Sequence, residues 1–149
     1  MGGEQRFAEG DSEICMDHRA FPLLLHTWCG RPTSRIVAQY FDEVAKLGPP
    51  RQPYFIITDA ARAGRPDAAV RRLISERSAA LAEQREALAM GSVVIVTNPL
   101  VRGALTAMAW FDASMSEIEY APDLPSALMH ARMVLGGRGI PWPSRADAL

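Results

Sequence analysis

The chain has 149 residues, of which 48% are hydrophobic and 22% are charged, with a formal net charge of -1. This length supports one hydrophobic core, and the near-zero net charge excludes the basic surface on which nucleic-acid binding depends. No run approaches the roughly 20 apolar residues of a membrane span, and the N-terminus lacks the layout of a secretory signal, so we expect no integral membrane segment and a cytoplasmic protein.

The first third of the chain predicts a flexible segment followed by two strands. Residues 1–11 are Gly-rich and polar without a periodic pattern, which predicts a flexible N-terminus. Residues 12–17 and 22–30 are apolar runs joined by a short turn, and we expect them to form an antiparallel hairpin. Because the second run is apolar on both faces, it should be a central strand of the sheet.

Helix and strand patterns then alternate. Thr33 can cap a helix that ends at Gly48, and residues 53–59 form a short apolar run with Asp59 as its last residue. Such a run is typical of a buried parallel strand that carries a polar group at its carboxyl end. A long helix is predicted over residues 66–90. The apolar stripe of the first helix comprises Ile36, Val37, Tyr40, Phe41 and Val44.

The second half of the chain repeats this order. Residues 92–97 are the clearest strand, and the helix predicted over 100–112 is apolar nearly all round. A short edge strand over 117–121 precedes a last helix over 124–135. Residues 136–149, with several Gly and Pro, predict an irregular C-terminal tail.

A family resemblance rests on the hairpin, the middle strands and above all the closing strand and helix. The segments that carry it are Trp28-Cys29-Gly30 before the Thr33 helix, the strand ending at Asp59, Val93-Val94-Ile95-Val96, Ile118-Glu119-Tyr120 and residues 124–135. Over residues 12–135 the chain resembles the SpoIIAA-like, or STAS/SEC14-like, family of small bacterial proteins. The resemblance implies a single α/β domain, a mixed sheet of about five strands with four helices and an N-terminal antiparallel hairpin.

The same resemblance carries expectations about function. It implies a non-catalytic regulatory or protein-interaction module in signalling, without a cofactor, that binds a protein partner or a second copy of itself. The SEC14-like side implies an alternative, a small-molecule or lipid-binding domain with a pocket beneath the 100–112 helix. The family's anti-sigma-factor antagonists carry a phosphorylatable serine after the middle strand, but residues 58–67 contain no serine, so no phosphosite is assigned.

Four polar residues are candidates for ligand binding. Asp59 and Asn98 follow strands, and the carboxyl edge of an open α/β sheet is where ligands bind. Arg62 and Arg65 come shortly after Asp59, so a small anion or polar ligand is one interpretation. Another is that Asp59 accepts hydrogen bonds from its own loop. An enzyme that uses Asp59 with Arg65 or Asn98 is a third.

Five apolar residues are candidates for an interface. Leu100, Ala107 and Trp110 form a second apolar side of the 100–112 helix, and exposed aromatic anchors dominate protein interfaces. Met129 and Met133, one turn apart on the last helix, could extend that surface or line a ligand crevice. Self-association as a homodimer would follow. Alternatively, neighbouring helices cover both sides.

The sequence contains few residue patterns that are typical of catalytic or metal sites. His18, His26 and His130 share no metal-ligand spacing, so no metal site is predicted. Cys15 and Cys29 are expected to be reduced, buried small hydrophobes. No Gly-x-Ser-x-Gly elbow or phosphate-binding glycine loop is present. We therefore expect a protein that is not an enzyme.

Overall fold

A computed structural model describes residues 3–47, 52–109 and 118–149, and one six-stranded sheet lies at its centre. In chain order the strands are β1 (Glu4–Glu9), β2 (Ser12–Asp17), β3 (Leu23–Gly30), β4 (Tyr54–Ala63), β5 (Ala89–Ile95) and β6 (Glu119–Ala121). They lie side by side in that same order, antiparallel from β1 to β3 and parallel from β3 to β6. The predicted α/β fold with a mixed sheet and an N-terminal antiparallel hairpin is confirmed.

Helices cover both faces of the sheet. They are α1 (Ser34–Ala45), α2 (Ala68–Ala80), α3 (Ala82–Leu88), α4 (Pro99–Ala109) and α5 (Leu124–Gly137), followed by a 3-10 helix at Ser144–Ala148. The helix α5 packs on the face that carries Phe55 and Ile57. The helices α1, α2 and α4 pack on the opposite face, which carries Ile14 and Val94. Because side chains alternate along a strand, the two faces receive separate sets of apolar residues.

The N-terminal segment is ordered, contrary to the prediction of a flexible one. Residues 4–9 form β1, which pairs with β2 through a turn at Gly10, where φ is 59°. The strand lies at the edge of the sheet, so its sequence is polar, but Phe7 packs against the core beneath α1. Arg6 forms ion pairs with Glu4 and Glu13, each at 2.6 Å. The strand β1 was not predicted because its composition is mostly polar. Only one of its faces meets the core.

The long helix predicted over residues 66–90 is in fact two helices and the start of a strand. The helix α2 ends before Leu81, α3 ends at Leu88, and Ala89 already pairs with Tyr54 in the sheet. Residues 89–91 fit a helical pattern as well as an extended one. Pairing with β4 and burial of Met90 favour the strand.

The C-terminal tail folds back onto α5 instead of remaining irregular throughout. Ala146 is 1% exposed within the core on the α5 side, and Trp142 packs against the same cluster. The Trp142 indole Nε1 donates a hydrogen bond to the Asp147 carboxylate at 3.1 Å. The tail therefore covers part of the core, which the glycines and prolines in its sequence did not reveal.

Candidate functional site

A cavity of about 660 Å³ lies between the sheet and the four helices α1 to α4. Its floor is the face of β3, β4 and β5 that carries Trp28, Ile56 and Val94. Apolar side chains make up most of its lining, and polar ones are few. The helices contribute Tyr40, Phe41, Val44, Ile74, Arg85, Val101, Ala104, Leu105 and Met108.

Small side chains keep the cavity open at its α4 end. Ala60 and Ala63 of β4 and Ala104 of α4 all line it, and all three are buried. An alanine side chain ends at Cβ, so strand and helix leave between them a volume that larger residues would fill. Val101 and Met108 complete this wall. The cavity thus lies beneath α4, the helix under which the SEC14-like alternative places a pocket.

Trp28 brings an unsatisfied hydrogen-bond donor to the cavity lining. Its indole Nε1 is buried and has no hydrogen-bond partner among the described residues. The indole meets the ring of Tyr40 edge-on, with 5.0 Å between ring centroids. A buried donor without a partner costs about 1–3 kcal/mol. The Nε1 atom itself is covered by surrounding atoms, so the part of Trp28 that lines the cavity is its apolar ring surface.

A chain of hydrogen bonds ends at the cavity lining. The Nε2 atoms of His18 and His26 are 3.0 Å apart, and the Nδ1 atom of His26 is 2.8 Å from the Tyr40 hydroxyl. His26 is 0% exposed. Burial, with a smaller contribution from His18, lowers the pKa of His26 to about 3. Both imidazoles are therefore neutral at neutral pH, since burial also lowers the pKa of His18.

Tyr40 is a neutral phenol at this position. Burial raises its pKa above the ordinary value, and the positive charge of Arg85 opposes only part of that shift. Arg85 is half-buried on α3 and lines the cavity beside the exposed Glu86. The site therefore combines neutral donors in its interior with charged groups on α3.

The three histidines do not share one site, but two of them are in contact. The sequence gives His18 and His26 no common spacing, and only the register of β2 against β3 brings them together. His130 lies on the other face of the sheet, 6.0 Å from the Phe55 ring. The described residues contain no cluster of three or more side chains that could hold a metal. Cys15 and Cys29 are free and half-buried.

The sequence predicts that Asp59 is the last residue of its strand. In the structure, β4 continues past Asp59 to Ala63. The register of β4 against β3 shifts just after Asp59, and its carboxylate accepts a hydrogen bond from the Ala61 N–H at 3.0 Å. Strand alternation places Asp59 on the Ile57 face, away from the cavity. This hydrogen bond is local, as in the alternative interpretation from the sequence, but its donor lies within β4 and not in a loop.

The other polar candidates are also separate from the cavity. Arg62 and Arg65 are exposed, and the Asn98 side chain accepts a hydrogen bond from the Leu100 N–H at 2.9 Å at the start of α4. Within the described ranges, no hydrogen bond or ion pair joins any two of Asp59, Arg62, Arg65 and Asn98. The polar side chains that line the cavity, which include Thr58, Arg85 and Ser92, were not identified as site residues from the sequence.

The apolar interface candidates lie on two surfaces. Leu100 is 61% exposed and Ala107 is half-buried on α4, while Met129 and Met133 are 67% and 71% exposed on α5. Trp110 lies outside the described residues. Because α4 and α5 cover opposite faces of the sheet, the methionines do not extend the α4 surface. None of the helices in the described ranges has the length and apolar character needed to span a membrane.

Comparison with known proteins gives the fold. Neither a family model nor a curated protein matches the sequence. The structure is similar to a DUF3478-family protein with a SpoIIAA-like fold from Shewanella loihica PV-4, at 14% identity and a TM-score of 0.50, over 86% of this chain and 93% of that one. It is also similar to an anti-sigma factor antagonist from Mycobacterium paratuberculosis, at 18% identity and a TM-score of 0.49, over 87% and 95%. The first likeness shows that the chain has a SpoIIAA-like fold.

Proposed function

We propose that this SpoIIAA-like chain is a non-catalytic binding module that encloses a small, mainly apolar molecule in the cavity beneath α4. The observation that carries the proposal is the cavity itself, about 660 Å³ with a mostly apolar lining. Sites for small molecules are typically concavities of about 300–1,000 Å³ with a few polar groups in an apolar wall. A regulatory role follows if a protein partner distinguishes the filled from the empty form.

The polar atoms around the cavity indicate what the molecule carries. Thr58, Ser92 and Arg85 line the cavity and carry hydrogen-bond donors, so the molecule should offer an acceptor oxygen, such as that of a carbonyl or carboxyl group. Its remaining surface should be apolar, because burial of apolar area stabilises a complex by about 25 cal/mol per Å². Arg85 supplies a positive charge where an acidic head group could be held.

Filling the cavity from α4 is expected to abolish binding. Ala104→Phe places an aromatic ring in the space, so the affinity for the neutral fluorophore prodan should fall by tenfold or more, about 1.4 kcal/mol. Fluorescence titration measures this, and native mass spectrometry after gentle purification tests for a retained molecule. Ala107→Phe is the matched control, since Ala107 is on the same helix but does not line the cavity. Equal prodan affinity in the wild type and Ala104→Phe would refute the proposal.

Self-association is a second candidate function, and the exposed methionines of α5 favour it. Met129 and Met133 are one helical turn apart and mostly exposed, an apolar patch that a second copy of the chain could cover. We expect light scattering to detect a dimer, and Met133→Glu to return it to a monomer. Leu100→Glu on the opposite face is the control. A wild-type protein that stays monomeric at high concentration contradicts self-association.

A further inference from the structure

The hydrogen bonds of His18, His26 and Tyr40 allow two arrangements of protons. A neutral imidazole carries hydrogen on one nitrogen only, so the direction of one bond at His26 fixes the direction of the other. In the inward arrangement, His18 Nε2–H donates to His26 and His26 Nδ1–H donates to the Tyr40 oxygen. In the outward arrangement, the Tyr40 O–H donates to His26 Nδ1 and His26 Nε2–H donates to His18. The distances of 3.0 and 2.8 Å fit both.

The two arrangements leave different groups of Tyr40 for the cavity. In the inward arrangement the Tyr40 hydroxyl hydrogen is free to donate to another acceptor. In the outward arrangement that hydrogen is bound to His26, and the phenol oxygen offers only lone pairs. Tyr40 is among the residues that line the cavity, so a bound molecule whose polar atom reaches the Tyr40 hydroxyl would meet a donor in the inward arrangement and an acceptor in the outward one.

Protonation of His18 selects between them. A charged imidazole carries hydrogen on both nitrogens, so His18 Nε2 can then only donate, which is compatible with the inward arrangement alone. His18 accepts a proton before His26, because the fully buried His26 has its pKa lowered further. The added charge stays on His18, the more accessible end of the chain of hydrogen bonds. The change in hydrogen-bond direction extends to Tyr40.

Charged groups surround both ends of this chain of hydrogen bonds. Burial lowers the pKa of His18, and Asp17 and Glu43 oppose that shift. Arg19 pairs with Asp17 and Lys46 with Glu43, both at 2.7 Å, which weakens this opposition. Near Tyr40 the groups are Arg85 and Tyr54, and near Arg19 there is also Glu4, at 3.3 Å.

We propose that His18, His26 and Tyr40 form a proton-coupled switch that makes the cavity prefer molecules with an acceptor oxygen when His18 is protonated. The inference rests on the proposed function for its ligand, but the switch itself belongs to the empty protein. By linkage, a molecule that accepts a hydrogen bond from Tyr40 also raises the affinity of His18 for a proton. The site thus couples the pH of the surroundings to the choice of ligand.

Nitrogen NMR of the ligand-free protein tests the switch alone. With ¹⁵N-labelled histidine, the three side chains give separate signals, and His130 on the other face is the internal reference. We expect the neutral His26 to change from its Nε2–H to its Nδ1–H tautomer as His18 becomes protonated. A single His26 tautomer across the whole titration of His18 overturns the proposal, whatever the cavity binds.

Ligand titration tests the coupling. Prodan has one carbonyl oxygen, and its propyl analogue carries a methylene in that place. Between about pH 8 and a pH at which the nitrogen NMR signals show His18 to be protonated, the prodan dissociation constant should fall roughly fivefold, as expected for one hydrogen bond. That of the analogue should stay constant. Equal pH dependence for both probes overturns the proposal.

Two variants complete this design. Tyr40→Phe keeps the aromatic wall but removes the donor, and His18→Gln removes the titrating group while keeping an amide at the surface end. Each should make prodan binding independent of pH, and persistence of the fivefold change in both overturns the proposal. If prodan fails to bind at any pH while His26 changes tautomer, the proposed ligand site is wrong and the switch stands.

Discussion

Replacing Gly30 with alanine should lower the free energy of unfolding by about 3 kcal/mol, because two costs act at one position. Gly30 has a φ of 74°, in the left-handed region that residues with a Cβ atom rarely adopt. An added Cβ would also clash with the backbone oxygen of Asp11. The atoms that the added Cβ would approach belong to the backbone of Asp11 and Ser12, not to a flexible side chain. The backbone of β3 or of the β1–β2 turn therefore has to move.

Alanine substitutions at two other glycines allow the cost of the left-handed backbone conformation to be measured apart from the cost of the steric clash. Gly10 has a φ of 59° with nothing within 4 Å of an added Cβ, so Gly10→Ala should cost only about 1 kcal/mol. Gly103, inside α4 and also without neighbours, should gain up to about 1 kcal/mol as alanine. Urea unfolding followed by tryptophan fluorescence measures all three. A Gly30→Ala loss no larger than that of Gly10→Ala would contradict the close approach at Asp11.

Acidification should lower the free energy of unfolding by several kcal/mol, and His26 should be the main cause. Burial holds its folded-state pKa at about 3, whereas an unfolded histidine titrates near pH 6.5. Between these values the unfolded chain binds a proton that the folded chain does not, so stability falls as pH falls. The contribution is complete above about pH 6.5 and is lost as pH falls toward 3. Each pKa unit corresponds to about 1.4 kcal/mol.

A pair of glutamine variants tests whether His26 causes this loss of stability in acid. Glutamine does not titrate and can both donate and accept, so His26→Gln should flatten the dependence of stability on pH between about pH 6.5 and about pH 4. His130→Gln should retain the wild-type slope. The measurement is urea unfolding at a series of pH values. An unchanged slope in His26→Gln would show that another group controls unfolding in acid.

Local patterns in the sequence were sufficient for the fold class, although not for β1 or for the division of residues 66–90. All five residues of the predicted α1 stripe are buried, since a period of 3.6 residues identifies a helix face without any knowledge of its partner. The predicted cap at Thr33 is likewise present, because its side chain accepts a hydrogen bond from the N–H of Ile36, only three residues away. The resemblance to the SpoIIAA-like family, based on such segments, gave the correct fold.

The site could not be predicted in the same way, because it depends on contacts between distant segments. The cavity exists because Ala60 and Ala104, 44 positions apart in the chain, face one space. The His18 to Tyr40 chain depends on the β2–β3 register and on α1 packing over β3. Asp59, chosen from its place at the end of an apolar run, accepts a hydrogen bond from Ala61 within its own strand instead. A pattern in one segment does not show which other segment it meets.

The order of the strands has a consequence for how the protein is made. In the described part of the chain, each strand from β2 to β6 pairs with the strand that precedes it, and none of these strands is inserted between two earlier ones. During synthesis on the ribosome, each of them therefore emerges beside an edge that is already formed. No described strand has to wait for a pairing partner that is not yet translated, whereas the sheet face that carries Phe55 and Ile57 stays uncovered until α5 is made.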